Sequence, residues 1–389
     1  MKSFSKLFLA SFLILLSCLG FGRFAFGMIL PNMQIDLNIS TTLIGFIGSA
    51  NFAGYFLGVI FTSKIYSIFK TSSLISRLLL LQALSMILMT FFDNYILISI
   101  LYFTSGFFAA IINISIMVYI SHVVPQNIRG KALGIAISGF GVAIIISGFL
   151  VPFLEQFYEA NTWRVSWLVF SVIIFIISFS IKYLLTYDVD NSVKSDTKFY
   201  EYRKNKNFWK IASLYFLFGI TYVVYVTFFV SASIEKWNLS SQVSGIFWST
   251  FGFICIFGAF IFGAIADKHG TFKTLILVFG FQAFSIFILI FDTPSFVLFV
   301  SVFFFAISVW SVPTIIAMLC TEFFGLNKTA QVFSLVTLIF AIGQIIGPIG
   351  AGYIYDSFNS YDFVFLVTFL LSFLGFLLTI LFSYKKISI

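Results

Sequence analysis

Apolar residues run along this chain in blocks too long for the helices of a water-soluble domain, separated by short polar breaks. Cutting at charges, prolines and polar clusters leaves twelve apolar spans, at about 6–30, 43–64, 74–92, 95–121, 131–154, 164–185, 210–232, 243–265, 274–291, 296–320, 330–354 and 363–383. Most exceed the ~20 residues that cross a bilayer as a helix, and the two shorter ones are about long enough. Lipid offers no partner for backbone N–H and C=O groups, so each span is predicted to be a transmembrane helix. The pattern also repeats at an offset of 200 residues. Asp36-Leu37-Asn38-Ile39-Ser40 aligns with Lys236-Trp237-Asn238-Leu239-Ser240, Gln82-Ala83-Leu84-Ser85 with Gln282-Ala283-Phe284-Ser285, and Gly45 and Gly58 with Gly245 and Gly258. Asn113 and Pro313 are mates in the same register, and the Gly/Pro-rich stretch 139–152 meets 343–352.

The predicted fold is therefore an all-α integral membrane protein of twelve transmembrane helices in two six-helix, pseudo-symmetric halves. The halves are 1–185 and 210–389, joined by a polar linker at 186–209 that reads as a solvated tether. Parallel repeats of apolar helices suit a secondary transporter whose midplane site opens alternately to either side. Glycines in spans five and eleven, with Pro152 and Pro348, predict close helix contacts that double as the flexing surface between halves.

Composition changes this picture little. The chain is 60% hydrophobic, 21% aromatic and 9% charged, against about 25% charged for soluble domains. The formal charge of +8 is topological. With a cytoplasmic N-terminus, nineteen of the 22 Lys and Arg fall on the inner side, leaving Arg164 and Lys236 outside and Arg23 within a span. That bias predicts cytoplasmic termini and a multi-pass protein of the inner (plasma) membrane. Cys18, Cys255 and Cys320 sit in apolar spans without metal-like or disulfide-like spacing. Leu15-Leu16-Ser17-Cys18 imitates a lipoprotein cleavage site, but cleavage there would delete most of the first helix. No metal, cofactor or nucleic-acid partner is expected. The expected partners are a small-molecule substrate and the bilayer, with the chain acting as a monomer.

All fourteen acids, and both histidines, can be assigned to loops or span ends. One charge remains in the membrane. Arg23 lies about 24 Å along the first span from Leu7, and Asp36, its nearest acid, is about 20 Å further on. A central Arg costs roughly 2.5–3.5 kcal/mol on insertion scales, so it is rarely kept without a use. Gly20 and Gly27 leave room beside it, and a planar fork of donors suits an anion. The alternative is an Arg bonded to backbone carbonyls and water at a helix crossing. Tyr215, Phe218, Tyr222, Tyr225 and Phe229 form one aromatic face of the seventh span. Asn51, Tyr55, Asn113, Trp310 and Thr314 are the remaining mid-span polar candidates. Gln82 and Gln282 are expected to make interhelical hydrogen bonds. At the inner face, Asp267, Lys268, Gly270 and Lys273 form a turn that could latch against Arg129 at the start of span five.

These features together resemble the major facilitator superfamily along the whole chain: six plus six helices, a basic central loop, and the signature G-x-x-x-D-[RK]-x-G at 263–270. Gly20-Phe21-Gly22-Arg23-Phe24-Ala25-Phe26 with Leu30-Pro31-Asn32-Met33, and Gly219-Ile220-Thr221-Tyr222 with Thr227-Phe228, are similar to its YbfB/YjiJ-type branch. The resemblance implies transport by rocking of two halves, with helices one, two, four and five of each lining the cavity. The first-half signature is degraded, with Ser67 and Lys70 in place of Asp267 and Gly270. Tyr102 stands where many members carry an Arg. The expected function is a secondary or facilitative carrier of a small organic anion. The alternatives are an efflux carrier for hydrophobic, drug-like compounds or a non-transporting receptor on the same fold. With no nucleophile–base pair, metal cluster or phosphate loop, an enzyme is not expected.

Overall fold

The computed structural model describes residues 4–187 and 201–387, and every regular element among them is helical. Among the described residues, twelve helices are long and apolar enough to cross a membrane: α1 Ser5–Leu37, α2 Thr41–Tyr66, α3 Thr71–Met89, α4 Tyr95–Val123, α5 Ile128–Tyr158, α6 Thr162–Leu184, α7 Lys206–Glu235, α8 Ser241–His269, α9 Thr271–Ile288, α10 Ser295–Phe324, α11 Leu326–Phe358 and α12 Tyr361–Ser383. The first helix runs past the predicted end at residue 30 because Pro31 lies inside it, a tolerated position in membrane helices when neighbours satisfy the freed carbonyl. Most of the linker, 188–200, lies outside the described residues. After it, Tyr202 is buried, donates to Gln331 Oε1 at 3.0 Å and packs on Phe208 and Phe324.

The chain divides into two compact units. The first contains α1–α6 together with Ser240–Gly252, the opening of α8; the second contains α7 and everything from Phe253 onward. The 200-residue repeat is visible as shared backbone chemistry. Asn38 and Asn238, in the turns that follow the first helix of each half, both adopt the left-handed region, with φ of 48° and 50°, a conformation Asn tolerates better than most residues. Ser40 and Ser240 then cap the following helix, accepting from the N–H groups of Leu43 and Val243 at 3.4 and 3.3 Å. The glycines also match. A Cβ on Gly58 would lie 2.5 Å from the Phe107 carbonyl oxygen of α4, and one on Gly258 would collide with the Ile307 carbonyl of α10. Gly139 fits against Phe12 and Leu16 of α1, and Gly343 against Phe216 and Ile220 of α7. The glycine-rich helices thus bring α5 onto α1 and α11 onto α7 inside their own units.

The loop signature has a geometric reason for its asymmetry. Gly270 has φ 93° and ψ 151° as it enters α9, whereas Lys70, at the same point before α3, has φ −59° and ψ 131°. Only the second-half turn demands glycine.

A charge-inverted clamp closes one end of each unit. In the first, Arg164 at the start of α6 donates to the Thr90 and Phe92 carbonyls at 2.9 and 3.2 Å and pairs with Asp36 at 3.0 Å and with Asp93. In the second, Lys236, the repeat mate of Asp36, donates to the Leu289 and Ile290 carbonyls at 2.9 Å each and pairs with Asp362 and with Asp292 at 3.6 Å. The cation has moved from the sixth helix of one half to the end of the first helix of the other, and the fastened helix ends are the same. Lys236→Met should lower stability by about 1–3 kcal/mol, the usual cost of buried acceptors left without donors. A thermal melt of the purified protein reads this, and an unchanged midpoint would reduce the clamp to a surface contact.

Candidate functional site

Arg23 does not sit on an ordinary α-helix. Residues Leu16–Phe24 form a π-helical stretch between α-helical Ser5–Leu15 and Phe26–Leu37. The Ala25 N–H reaches back five residues to the Gly20 carbonyl at 3.0 Å. Widening a helix in this way offsets its carbonyls from their usual donors, so outside groups must compensate. Three distant residues do so. Gln82 Nε2 of α3 donates to Cys18 O at 2.9 Å, Asn51 Nδ2 of α2 to Gly22 O at 3.5 Å, and Tyr102 Oη of α4 to Arg23 O at 3.4 Å. Gly20 and Gly22 have no room for a side chain, since a Cβ there would strike Ala143 and Gln82 respectively.

The guanidinium is buried, with the residue 7% exposed. Its Nε donates to Asn51 Oδ1 at 2.9 Å, while Asn51 Nδ2 also reaches Tyr102 O at 3.1 Å. The planar head lies 4.2 Å from the Tyr55 ring centre and 4.6 Å from that of Phe52. Such cation–π contacts contribute about 0.5–2 kcal/mol each, more as water is removed. Tyr55 is itself fixed by Asn113 Nδ2, which donates to its hydroxyl at 2.8 Å. Two polar atoms at this cluster are buried without a partner, Arg23 Nη2 and Asn113 Oδ1. Among the described residues no acid pairs with Arg23. The result is a full positive charge with its side held by aromatic faces, its root held by an amide, and donor capacity left over.

Of the candidates read from the sequence, Arg23, Asn51, Tyr55 and Asn113 come together in the first unit. In the second unit Tyr215, Phe218 and Tyr222 stack against Phe340 of α11 with interplanar angles near 11°. Gln344 of α11 donates to the Tyr222 hydroxyl, and Trp310 meets the Tyr222 ring edge-on at 6.1 Å. Tyr225 stands apart. It stacks on Phe305 at 3.7 Å and its hydroxyl shares a 3.1 Å hydrogen bond with Ser301, so it ties α7 to α10. Thr314 is exposed, just past a break at Trp310 where the α-helix ends at Val309 and resumes at Ser311. Pro313 has no N–H and its ring crowds the preceding turn, which accounts for the break. The two glutamines also part company. Gln82 makes its expected interhelical bonds, including one to Ser105 Oγ at 3.3 Å, whereas both amide atoms of buried Gln282 lack partners. At the signature turn Asp267, Lys268 and Lys273 are exposed around Gly270, and Arg129 donates to the Val124 carbonyl at 3.4 Å.

Phe52, Tyr102 and Gln344 were not singled out from the sequence as site residues. Tyr102 carried a signal, standing where relatives place an Arg; Phe52 and Gln344 are one Phe and one Gln among many. Asn51 holds three polar groups at once, so Asn51→Leu should cost about 1–3 kcal/mol per group left unpaired and shift the thermal midpoint down. Retention of the wild-type midpoint would mean that the Arg23 cluster is not organised by Asn51.

The comparisons agree with this architecture. A family model described as "Uncharacterised MFS-type transporter YbfB" matches residues 15–380. No curated protein matches the chain. Among solved structures, an inward-facing, unoccupied bacterial homolog of the human lysosomal transporter Spinster superposes with a TM-score of 0.82 at 13% identity, covering 99% of this chain and 98% of that one. The nucleoside transporter NupG gives 0.81 at 13% identity over 96% and 98%, and a D-xylose–proton symporter gives 0.78 at 12% identity over 96% of each. At these identities the structural likeness establishes the fold. The family match spans nearly the whole chain and establishes a multi-pass membrane transporter of small molecules rather than an enzyme, so the chain belongs to the YbfB-type family of the major facilitator superfamily.

Proposed function

We propose that this transporter carries a small organic anion by alternating access, with Arg23 as the charge that recognises it. One observation carries the reading: a buried guanidinium with an unpartnered donor, Nη2, and no acid partner among the described residues. If the Arg were there only for packing, main-chain oxygens would be expected to use up its donors. Instead its one described hydrogen bond runs from Nε to a side-chain amide. Charge-assisted hydrogen bonds are about twice as strong as neutral ones, and a fork of donors favours carboxylates, sulfonates or phosphate esters over cations. The same charge disfavours lipophilic cations, which stand against it unscreened. The aromatic stack of Tyr215, Phe218, Tyr222 and Phe340 supports the second reading, efflux of hydrophobic compounds. The positive-inside bias supports cytoplasmic termini and an inner-membrane location.

The test uses protein in detergent or nanodiscs against benzoate, benzenesulfonate and glycerol phosphate, with uncharged and cationic isosteres beside them. Binding to the native state at a hundredfold excess over Kd adds about 2.7 kcal/mol of stability, visible as a rise in melting temperature. The expected outcome is stabilisation by at least one anion class, lost in Arg23→Gln and partly kept in Arg23→Lys. Uptake of that anion into proteoliposomes should fall at least tenfold in Arg23→Gln. Stabilisation by the cationic isosteres instead would favour efflux, and uptake at the wild-type rate in Arg23→Gln would refute the anion site.

A further inference from the structure

Away from Arg23, the second unit carries a groove of about 560 Å³ between the end of α8, the face of α9 and the last turns of α12. Its walls are almost wholly apolar, formed by Ile265, Leu277 and Phe376 among others, and its one basic end is formed by His269 and Lys273. Both basic residues are exposed. Gly280 lines the groove opposite Phe376, where a Cβ would lie 3.4 Å from the ring and take up part of the space. Ile265 and His269 are one helical turn apart, as are Lys273 and Leu277, so each helix presents one basic and one apolar residue on the same stripe. From Lys273 to Phe281 the groove follows α9 for about 12 Å at 1.5 Å per residue.

We infer that this groove binds an anionic phospholipid, such as phosphatidylglycerol, with its phosphate at His269 and Lys273 and an acyl chain laid along α9 toward Gly280 and Phe376. The argument is one of complementarity along a single axis. Apolar walls exclude a free polar solute from most of the length, and a cationic mouth disfavours an uncharged occupant. Basic pockets between membrane helices are known to suit lipid phosphates. The nearby acids do not line the groove. Asp267 lies off the Ile265–His269 stripe, and Glu322 accepts from Thr271 Oγ1 at 2.6 Å. Lys268 adds positive charge beside the mouth.

The experiment is native mass spectrometry of protein purified from mixed phosphatidylglycerol and phosphatidylcholine vesicles, with lipid adducts counted for wild type, His269→Gln/Lys273→Gln and Gly280→Leu. Wild type should retain phosphatidylglycerol over phosphatidylcholine. The double variant should lose at least three-quarters of that preference, since exposed residues can change without harm to folding. Gly280→Leu should lower adducts of both lipids by filling the groove; Gly280→Ala provides a milder version if the Leu variant does not fold. Equal retention in the double variant would overturn the proposal, as would adducts with no preference for the anionic headgroup. Displacement of the lipid by inorganic phosphate at millimolar concentration would also overturn it, because the site would then be one for free phosphate.

Discussion

A guanidinium among apolar membrane helices costs roughly 2.5–3.5 kcal/mol by insertion scales, and the first unit is organised around offsetting that cost without neutralising the charge. An acid beside Arg23 would be the simplest remedy, yet none of those described pairs with it. The structure uses an amide on Nε and two aromatic faces, groups that stabilise a cation while leaving its sign intact. The cost then spreads outward. The π-helical stretch that presents Arg23 needs donors for its shifted carbonyls, and α2, α3 and α4 each supply one. Gly22 lets Gln82 of α3 come near enough to do so, while Gly20 makes room for Ala143 of α5.

The outer scaffold follows a different logic, in which chemistry is repeated but identity is not. Asn38 and Asn238, Ser40 and Ser240, and Gly58 and Gly258 do the same backbone work in each half. Asp36 and Lys236 carry opposite charges yet both anchor a clamp across the same helix ends. Duplicated folds can thus keep a geometric constraint while exchanging the residues that meet it. The inner sites have diverged fully, with a cation in one unit and stacked aromatics with a Tyr–Gln pair in the other.

Helix number and the repeat were legible because lipid imposes length and apolarity directly on the sequence. Gly270 was legible as a signature, though its reason, a backbone angle that Lys70 does not share, was not. The cluster around Arg23 was half legible. Arg23 announced itself as an unpaired charge in a span, and Asn51, Tyr55 and Asn113 as sparse polar residues, but nothing local marked the π-helical widening. It depends on donors tens of residues away in the chain. The different contacts of Tyr225 were not legible for the converse reason: helical spacing put it in line with Tyr215 and Tyr222, and only depth along α7 separates a bond to Ser301 from a stack on Phe340. The glycines of α5 and α11 read as flexing surfaces between halves, while those at Gly139 and Gly343 pack against the first helix of their own unit.

The most direct measurement of the central claim is an experimental structure with an iodinated carboxylate, read by the anomalous signal of the iodine and by density at the guanidinium. A carboxylate should lie within hydrogen-bond distance of Arg23 Nη2, with Asn51 still on Nε and Tyr55 still against the plane. Nη2 bonded to main-chain oxygens, with the iodine elsewhere, would show Arg23 to be a packing residue and would remove the basis for a negatively charged cargo.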